Sequence, residues 1–276
     1  MTLSVNTNTG AQVALQNLNA TNVQLAITQN RINTGKYVAT AKDNGAIWAI
    51  AQGQRADIGA LNAVNQSLNR GVAAVDVALA AGETVSDLLL QLKEKALAAT
   101  DASLTTSARA ALNEDFKSLR DQIATVTSNA DFNGVNLLKT GATGFQALAN
   151  AQGTSTITVA AEVLALGGAN VTIATTQSID TLTKAAASLT AVNSSIDNVS
   201  ASLARLGTKS KALSTHLTFV GKLSDALEAG VGNLVDADLA KESAKLQALQ
   251  TKQQLGVQAL GIANQTPQLV LSLFRN

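Results

Sequence analysis

The stretch LTKAAASLTAVNSSIDNVSASLARLGTKSKALSTHLTFVGKLSDALEAGVGNL, residues 182–234, decides the fold. Stepping by seven from Leu182, one row of positions reads Leu189, Ile196, Leu203, Ser210, Leu217, Ser224 and Val231. A second row, three residues further on, reads Ala185, Val192, Val199, Leu206, Leu213, Val220, Leu227 and Leu234. Only Ala185, Ser210 and Ser224 in this double row are small or polar. A paired apolar repeat of this period marks a helix that packs lengthwise on other helices. Unbroken, it is a rod of roughly 80 Å at ~1.5 Å per residue, with Gly207, Gly221, Gly230 and Gly232 as its weak points.

A rod needs partners along its length, and the first half of the chain supplies them. Leu61, Val64, Leu68, Val72, Val75 and Leu79 follow 3-4 spacing, and the pattern continues through Val85, Leu89 and Leu92 with Gly82 inside it. A second helix reads Leu112, Phe116, Leu119, Ile123 and Val126, starting near Leu104 to Ser107 where Thr and Ser can cap it. Asp131-Phe132-Asn133-Gly134 is turn chemistry that stops it. Between Lys139 and Thr181 the composition changes to Gly, Thr, Ala and Ser. There Ile157 with Val159, and Val171 with Ile173, alternate at period two around a Gly167–Asn170 turn, which predicts a small β excursion at an outer tip.

Met1 to Asn30 carries no charged side chain, and neither does Gln253 to Phe274. Leu18, Leu25 and Ile32 stand seven apart, with Leu15 one turn before Leu18, so the first stretch still reads as a helix. A lone surface helix dresses its wet face in charge; here that face is amide and hydroxyl. Such groups tolerate burial when hydrogen-bonded, with a net gain of roughly 0.5–1.5 kcal/mol per bond, whereas an unpaired buried charge costs several kcal/mol. Both ends are therefore expected to be buried together in an assembly. Thr7, Asn8, Gln12, Gln16, Asn17 and Asn19 interrupt any signal-peptide core, and Gln253, Gln254, Gln258, Asn264, Gln265 and Gln268 interrupt any membrane span.

The composition, 46% apolar but only 3% aromatic and 14% charged over 276 residues, suits helix packing through small side chains rather than an enzyme. A net charge of +1 with no basic cluster speaks against nucleic acid. The absence of cysteine excludes disulfides and thiolate metal sites. Asp236, Asp238 and Glu242 have hard-metal chemistry, but the simpler reading is a helix surface on which Lys241, Glu242 and Lys245 decorate one face. Asn33-Thr34-Gly35-Lys36 lacks the first glycine of a phosphate loop and has Tyr37 where the hydroxyl should stand, so it is a turn. His216, the single histidine, adjoins Leu217 on a coiled-coil helix and has no triad partners. Tyr37 and Trp48 read as interface anchors. No catalytic, cofactor-binding or metal-binding residue is assigned, and no cofactor is expected.

Several segments then resemble bacterial flagellin. Asn6-Thr7-Asn8 opens a Leu-rich helix that ends in Arg31-Ile32-Asn33-Thr34-Gly35-Lys36, and Ala41-Lys42-Asp43-Asn44-Gly45-Ala46 follows. Asp131-Phe132-Asn133-Gly134-Val135 is similar to the family's Phe-Asn-Gly turn. The C-terminal match is the more specific: Gly232-Asn233-Leu234-Val235-Asp236-Ala237-Asp238-Leu239-Ala240, then Lys252-Gln253-Gln254-Leu255-Gly256, Ala263-Asn264-Gln265 and Leu273-Phe274-Arg275. Asn44 stands where the family has a second Asp, so no charge pairing is carried over to it.

The resemblance implies a mainly α protein: a long antiparallel helical hairpin or coiled-coil bundle with a small β-rich outer segment and paired termini. Residues 1–44 and 231–276 would form an inner coiled coil, and residues 45–230 an outer helical domain with its β tip at about 140–180. Leu18, Leu25, Ile32, Leu246, Leu249, Leu260 and Phe274 are the expected polymerisation core, and Arg31, Asp43, Asp236 and Lys241 the expected inner–outer junction. The implied function is that of a secreted subunit polymerising into the extracellular flagellar filament for swimming. Implied partners are further copies of the chain, the flagellar type III export apparatus, a C-terminal chaperone, and the filament cap and hook-junction proteins, with no nucleic acid and no membrane. A hook–filament junction protein of the same family is the nearest alternative, and a type III pore-forming translocator a more distant one.

Overall fold

The computed structural model describes residues 7–273, with side chains described as far as residue 265. The elements are five helices, α1 (Thr9–Thr34), α2 (Gly45–Ala99), α3 (Thr106–Asn129), α4 (Leu182–Val235) and α5 (Leu239–Leu273), and one short hairpin, β1 (Phe145–Leu148) with β2 (Thr156–Val159). Each helix starts on a side-chain oxygen that takes up a backbone N–H otherwise left without a partner. Asn8 accepts from Ala11, Asn44 from Ile47, Thr105 from Ala108, Thr181 from Lys184 and Asp238 from Lys241. The chain packs as two compact units, one built from residues up to Ala56 and from Ala226 onward, the other from Asp57–Asp225.

In the Asp57–Asp225 unit the apolar repeat of α2 is cleaner than its leucines and valines suggest. One buried row runs Leu61, Val64, Leu68, Gly71, Val75, Ala78, Gly82, Val85, Leu89, Leu92, Ala96 and Ala99 in alternating steps of three and four, with Ala74 and Leu88 buried beside it. Val72 and Leu79 are only half-buried. Glycine replaces a larger residue where something must come close: a Cβ on Gly71 would sit 2.8 Å from the Phe145 ring, and one on Gly82 2.5 Å from Leu203. From α3, Phe116 and Ile123 complete the core with no exposed surface.

Helix α4 is continuous over 54 residues, its glycines included, because burial along the row from Ala185 to Val220 outweighs the ~1 kcal/mol each glycine costs. The second buried row of α4 is not the leucine row. Leu189, Ile196, Leu203 and Leu217 are half-buried and Leu182 is exposed, while Ser188, Ser195 and Ser202 are wholly buried. The serines serve the segment that crosses them. Ser188 Oγ donates to the Ser178 carbonyl and accepts from Gln177, and Ser195 Oγ accepts the Thr172 amide at 3.0 Å while donating to the Ala191 carbonyl.

That segment corrects the expected β tip in two ways. The partner of Thr156–Val159 is Phe145–Leu148, with Phe145 opposite Val159 and Leu148 opposite Thr156; Val171 and Ile173 form no strand. The Thr172 amide is taken by Ser195, which leaves Val171 and Ile173 buried as plugs rather than aligned for a ladder. Nor is the segment a protruding tip. Leu148 N–H donates to Ser67 and His216 Nε2 lies 2.8 Å from the Ala149 carbonyl, so the hairpin sits on the middle of α2. The chain then runs as a strap along α4, past the Glu162–Arg205 pair, Leu164 against Gly82, and Ile179 on Asn113. Replacing Ser195 by Ala strands the Thr172 amide and is expected to cost about 1–3 kcal/mol in urea unfolding. Ser200→Ala, on the exposed side, is expected to stay within ~0.5 kcal/mol of the parent.

Candidate assembly surface and junction

The unit containing both ends is built on an antiparallel pairing of α1 with α5. Asn8 Nδ2 donates to the Ala263 carbonyl at 2.7 Å and Gln253 donates to Asn22 at 2.7 Å. Leu18 packs on Gly256, where a Cβ would stand 3.3 Å from it. Arg31 meets Glu242 at 3.1 Å. The α1 side of the seam steps through Ala11, Ala14, Leu18, Thr21, Leu25, Thr28 and Ile32; the α5 side steps through Glu242, Leu246, Leu249, Gln253, Gly256 and Leu260. The seam therefore gathers Leu18, Leu25, Ile32, Leu246, Leu249 and Leu260. Phe274 lies outside the described residues.

The leucines are not its deepest members. Leu18, Leu25, Ile32, Leu246 and Leu260 are half-buried and Leu249 is buried, but on α1 the buried residues are Thr21 and Thr28. Threonine at those levels lets the helices approach closely. Thr21 Oγ1 donates back to the Asn17 carbonyl, the usual way a helical Thr satisfies its hydroxyl. Leu15, grouped with the seam on sequence, is 48% exposed, since its position falls about 100° from the seam centre at ~100° per residue. The signal that identifies the seam is the Ala14, Thr21, Thr28 series, hidden because none of the three is strongly apolar.

Outside the seam, apolar residues stand among the exposed amides and hydroxyls. Val23 stands almost opposite it and is 61% exposed; Val13 and Ile27 flank Val23 with 55% and 44% exposed, and on α5 Leu255 and Val257 are 59% and 56% exposed. No charge lies among them between Met1 and Asn30 or from Gln253 to Phe274. These two helices thus leave apolar residues uncovered on more than one side, and only the seam is covered within the chain.

At the inner end of the seam the charged residues gather. Arg31 has its guanidinium carbon 3.8 Å above the centroid of the Tyr37 ring while bonding Glu242, a stacked and paired geometry that suits Arg and not Lys. Glu242 is buried and its second oxygen has no partner. The reading of Glu242 as one of a row of surface charges with Lys241 and Lys245 is therefore corrected: its place on the seam one turn before Leu246 turns it inward. The main chain closes the same region. Tyr37 N–H and Val38 N–H both donate to the Val235 carbonyl, Ala237 N–H donates to Gly35, and Lys36 and Asp236 form an isolated antiparallel bridge. Asp43 Oδ2 accepts from the Thr40 amide, the Thr40 hydroxyl and the Ala39 amide. Chiefly the Thr40 amide holds its carboxyl below the ordinary carboxylate value, opposed by desolvation and helped last by Arg31. A lowered value means the turn gains from ionised Asp43 above the ordinary range and loses that support as pH falls through the lowered one.

Of the four expected junction residues, the structure brings Arg31 and Asp43 into electrostatic reach and places Asp236 in the backbone bridge. Lys241 is exposed, its amide bonded to Asp238, with no ion pair from its side chain among the described residues. Asp238 caps α5, and among the described residues no cluster of His, Asp and Glu has metal-holding geometry. His216 props the end of β1 and lies 5.6 Å from the Phe219 ring. No described helix is long and apolar enough to cross a membrane.

Comparison with known proteins agrees with this geometry. Residues 5–143 match the bacterial flagellin N-terminal helical region and residues 174–274 the bacterial flagellin C-terminal helical region. Flagellin FljM of Caulobacter vibrioides is 58% identical over 272 residues, which is 99% of this chain and 98% of that one. A flagellin of Brucella melitensis is 37% identical over 285 residues, covering 99% of each. Among solved structures, Bacillus cereus flagellin superposes with a TM-score of 0.50 at 18% identity over 56% of this chain and 88% of that one. A provisionally assigned flagellar hook-associated protein of Vibrio parahaemolyticus gives 0.57 at 15% identity over 70% and 100%.

Proposed function

Because this chain belongs to the bacterial flagellin family, we propose that the apolar residues left uncovered on the α1–α5 pair belong to the surface through which it assembles. The protein is a structural subunit of the flagellar filament, the extracellular polymer that serves swimming. The observation that carries the proposal is the exposure of Val13, Val23, Ile27, Leu255 and Val257 in the two uncharged stretches, Met1 to Asn30 and Gln253 to Phe274. Leu18, Leu25, Ile32, Leu246, Leu249, Leu260 and Phe274 make the inner packing, with residues 1–44 and 231–276 as the inner segments and 45–230 as the outer domain. Arg31, Asp43 and Asp236 hold the bend between them, with Lys241 at its surface. The contact between copies is open and heterologous, and so gives a filament rather than a ring.

Folding is coupled to that association. In a free subunit the α1–α5 seam is one helix against one helix, lined by Thr, Ala and Gln as much as by Leu, too little to offset roughly 1–2 kcal/mol of backbone entropy per residue. Neighbouring copies supply the missing surface. Export as an unfolded chain through the flagellar type III apparatus, with a chaperone on the C-terminal segment and a cap protein at the growing end, completes the reading; a chain without cysteine cannot cross-link on the way. No enzymatic role enters it. The hook-associated likeness favours one second reading, a junction protein that stops after a short ring. Negative-stain electron microscopy of the purified protein added to filament seeds distinguishes them: long filaments support the subunit, and short caps that never elongate overturn it.

A further inference from the structure

The chain holds two Asn–Gly dipeptides, Asn44–Gly45 and Asn133–Gly134. With no side chain on the following residue, the glycine nitrogen can approach the asparagine side-chain carbonyl carbon with little hindrance. In that reaction the deprotonated glycine nitrogen bonds to Cγ, the bond from Cγ to Nδ2 breaks, and ammonia leaves with the proton that the glycine gave up. Water then opens the resulting succinimide at either carbonyl, giving aspartate or isoaspartate. No oxidant, metal or enzyme is needed. The two requirements are a glycine amide free to lose its proton and a backbone free to swing that nitrogen toward Cγ.

Asn133 is exposed and has φ 53, and Gly134 has φ 83, so both central residues of the turn are left-handed. Phe132 and Val135 exchange backbone hydrogen bonds of 2.9 and 3.0 Å across it. Buried Asn136 fixes its base, donating to the Thr127 carbonyl and accepting from the Leu138 and Lys139 amides. The nucleophile is itself occupied: Gly134 N–H donates to Asp131 Oδ1 at 2.8 Å. We propose that Asn133 is a latent site of succinimide formation and that Asp131 keeps it closed by holding the glycine amide and the turn around it. Asp131 is a positioning residue here; it touches the would-be nucleophile and not the carbonyl attacked.

Opening this lock has a structural consequence. An isoaspartyl link adds a methylene to the main chain inside a two-residue turn, which cannot then keep the Phe132–Val135 exchange. The buried Leu137 and Leu138 follow directly after it. Asn44 is restrained in another way, its Oδ1 accepting the Ile47 amide as the cap of α2, with no part played by Asp131. It is the internal reference.

The test is peptide mass spectrometry of the full-length protein during incubation in mildly alkaline buffer, reading deamidation at both sites in the parent, Asp131→Ala and Asp131→Asn. Asp131→Ala is expected to deamidate roughly tenfold faster at Asn133, the factor that the loss of a hydrogen bond of about 1.4 kcal/mol produces, with Asn44 unchanged. Asp131→Asn keeps an acceptor oxygen and is expected to restore slow reaction. The urea-unfolded parent sets the ceiling, with both sites fast. Asn133 reacting at the parental rate in Asp131→Ala overturns the proposal. Equal acceleration at Asn44 does so too, because it means global opening, and so does Asp131→Asn reacting as fast as Asp131→Ala.

Discussion

Deleting residues 1–30 is expected to abolish filament growth while leaving the Asp57–Asp225 unit folded. That unit draws its core from α2, α3, α4 and the strap, with Leu61, Phe116, Leu164, Val199 and Leu213 among its buried members, none of them in the deleted segment. The deletion instead removes one side of the α1–α5 seam together with Val13, Val23 and Ile27. Covering a Val, Leu or Ile side chain fully stabilises by about 1.5–3 kcal/mol. Val13, Val23, Ile27, Leu255 and Val257, each about half exposed already, then amount to roughly 4–8 kcal/mol per subunit when neighbours cover them. That is on the order of a thousandfold to a millionfold in association, and more than half of those side chains lie on the deleted helix. Sedimentation and electron microscopy with seeds read the outcome, and calorimetry reads the retained unit. Growth of filaments from the shortened chain contradicts the account.

The second large effect is expected at Arg31. Its partner Glu242 is buried with one oxygen already unpaired, and the side chains of Arg31 and Glu242 are 18% and 8% exposed. Removing the guanidinium leaves a carboxylate in a nearly dry seam with neither oxygen paired, which costs about 3–5 kcal/mol. A loss of that size exceeds what a two-helix seam can spare, so Arg31→Ala is expected to keep the α1–α5 pair from folding against neighbouring copies and to raise the critical concentration for seeded assembly. Replacing both partners by apolar residues, Arg31→Met with Glu242→Leu, removes the charge and is expected to recover most of the stability. Critical concentrations for seeded assembly of the two single variants and the double variant, converted to free energies, close the cycle. A loss below ~1 kcal/mol in Arg31→Ala would show that water reaches the pair.

How far these features are legible in sequence depends on what each residue has to announce. The helices are legible: the heptad from Leu182 to Leu234 and the 3-4 pattern from Leu61 place α2 and α4 because apolar periodicity is a local property. The Asn133-Gly134 turn is legible for the same reason, as its left-handed backbone demands those residue types. The strap is not. Val171 and Ile173 alternate as a strand does, but the partner that settles their state is a serine on a distant helix, and a buried Ser looks like a surface Ser in a linear sequence. The junction is half legible: Arg31 stands out as the first charge after an uncharged run and Asp43 as the first acid, whereas Glu242 hides between two lysines and is recognisable only once α5 is laid against α1. Thr21 and Thr28 are missed because close approach is a property of two helices and not of one.

Val23 gives the most direct test that the uncharged stretches of α1 and α5 hide between copies. It is 61% exposed within the subunit, so Val23→Glu is expected to change subunit stability by no more than ~0.5 kcal/mol. In the filament the same carboxylate would be buried without a partner, at a cost of several kcal/mol. The measurement is the critical concentration for seeded polymerisation of Val23→Glu beside the parent. The account requires it to rise by more than about a hundredfold with unfolding unchanged; polymerisation at the parental critical concentration contradicts it.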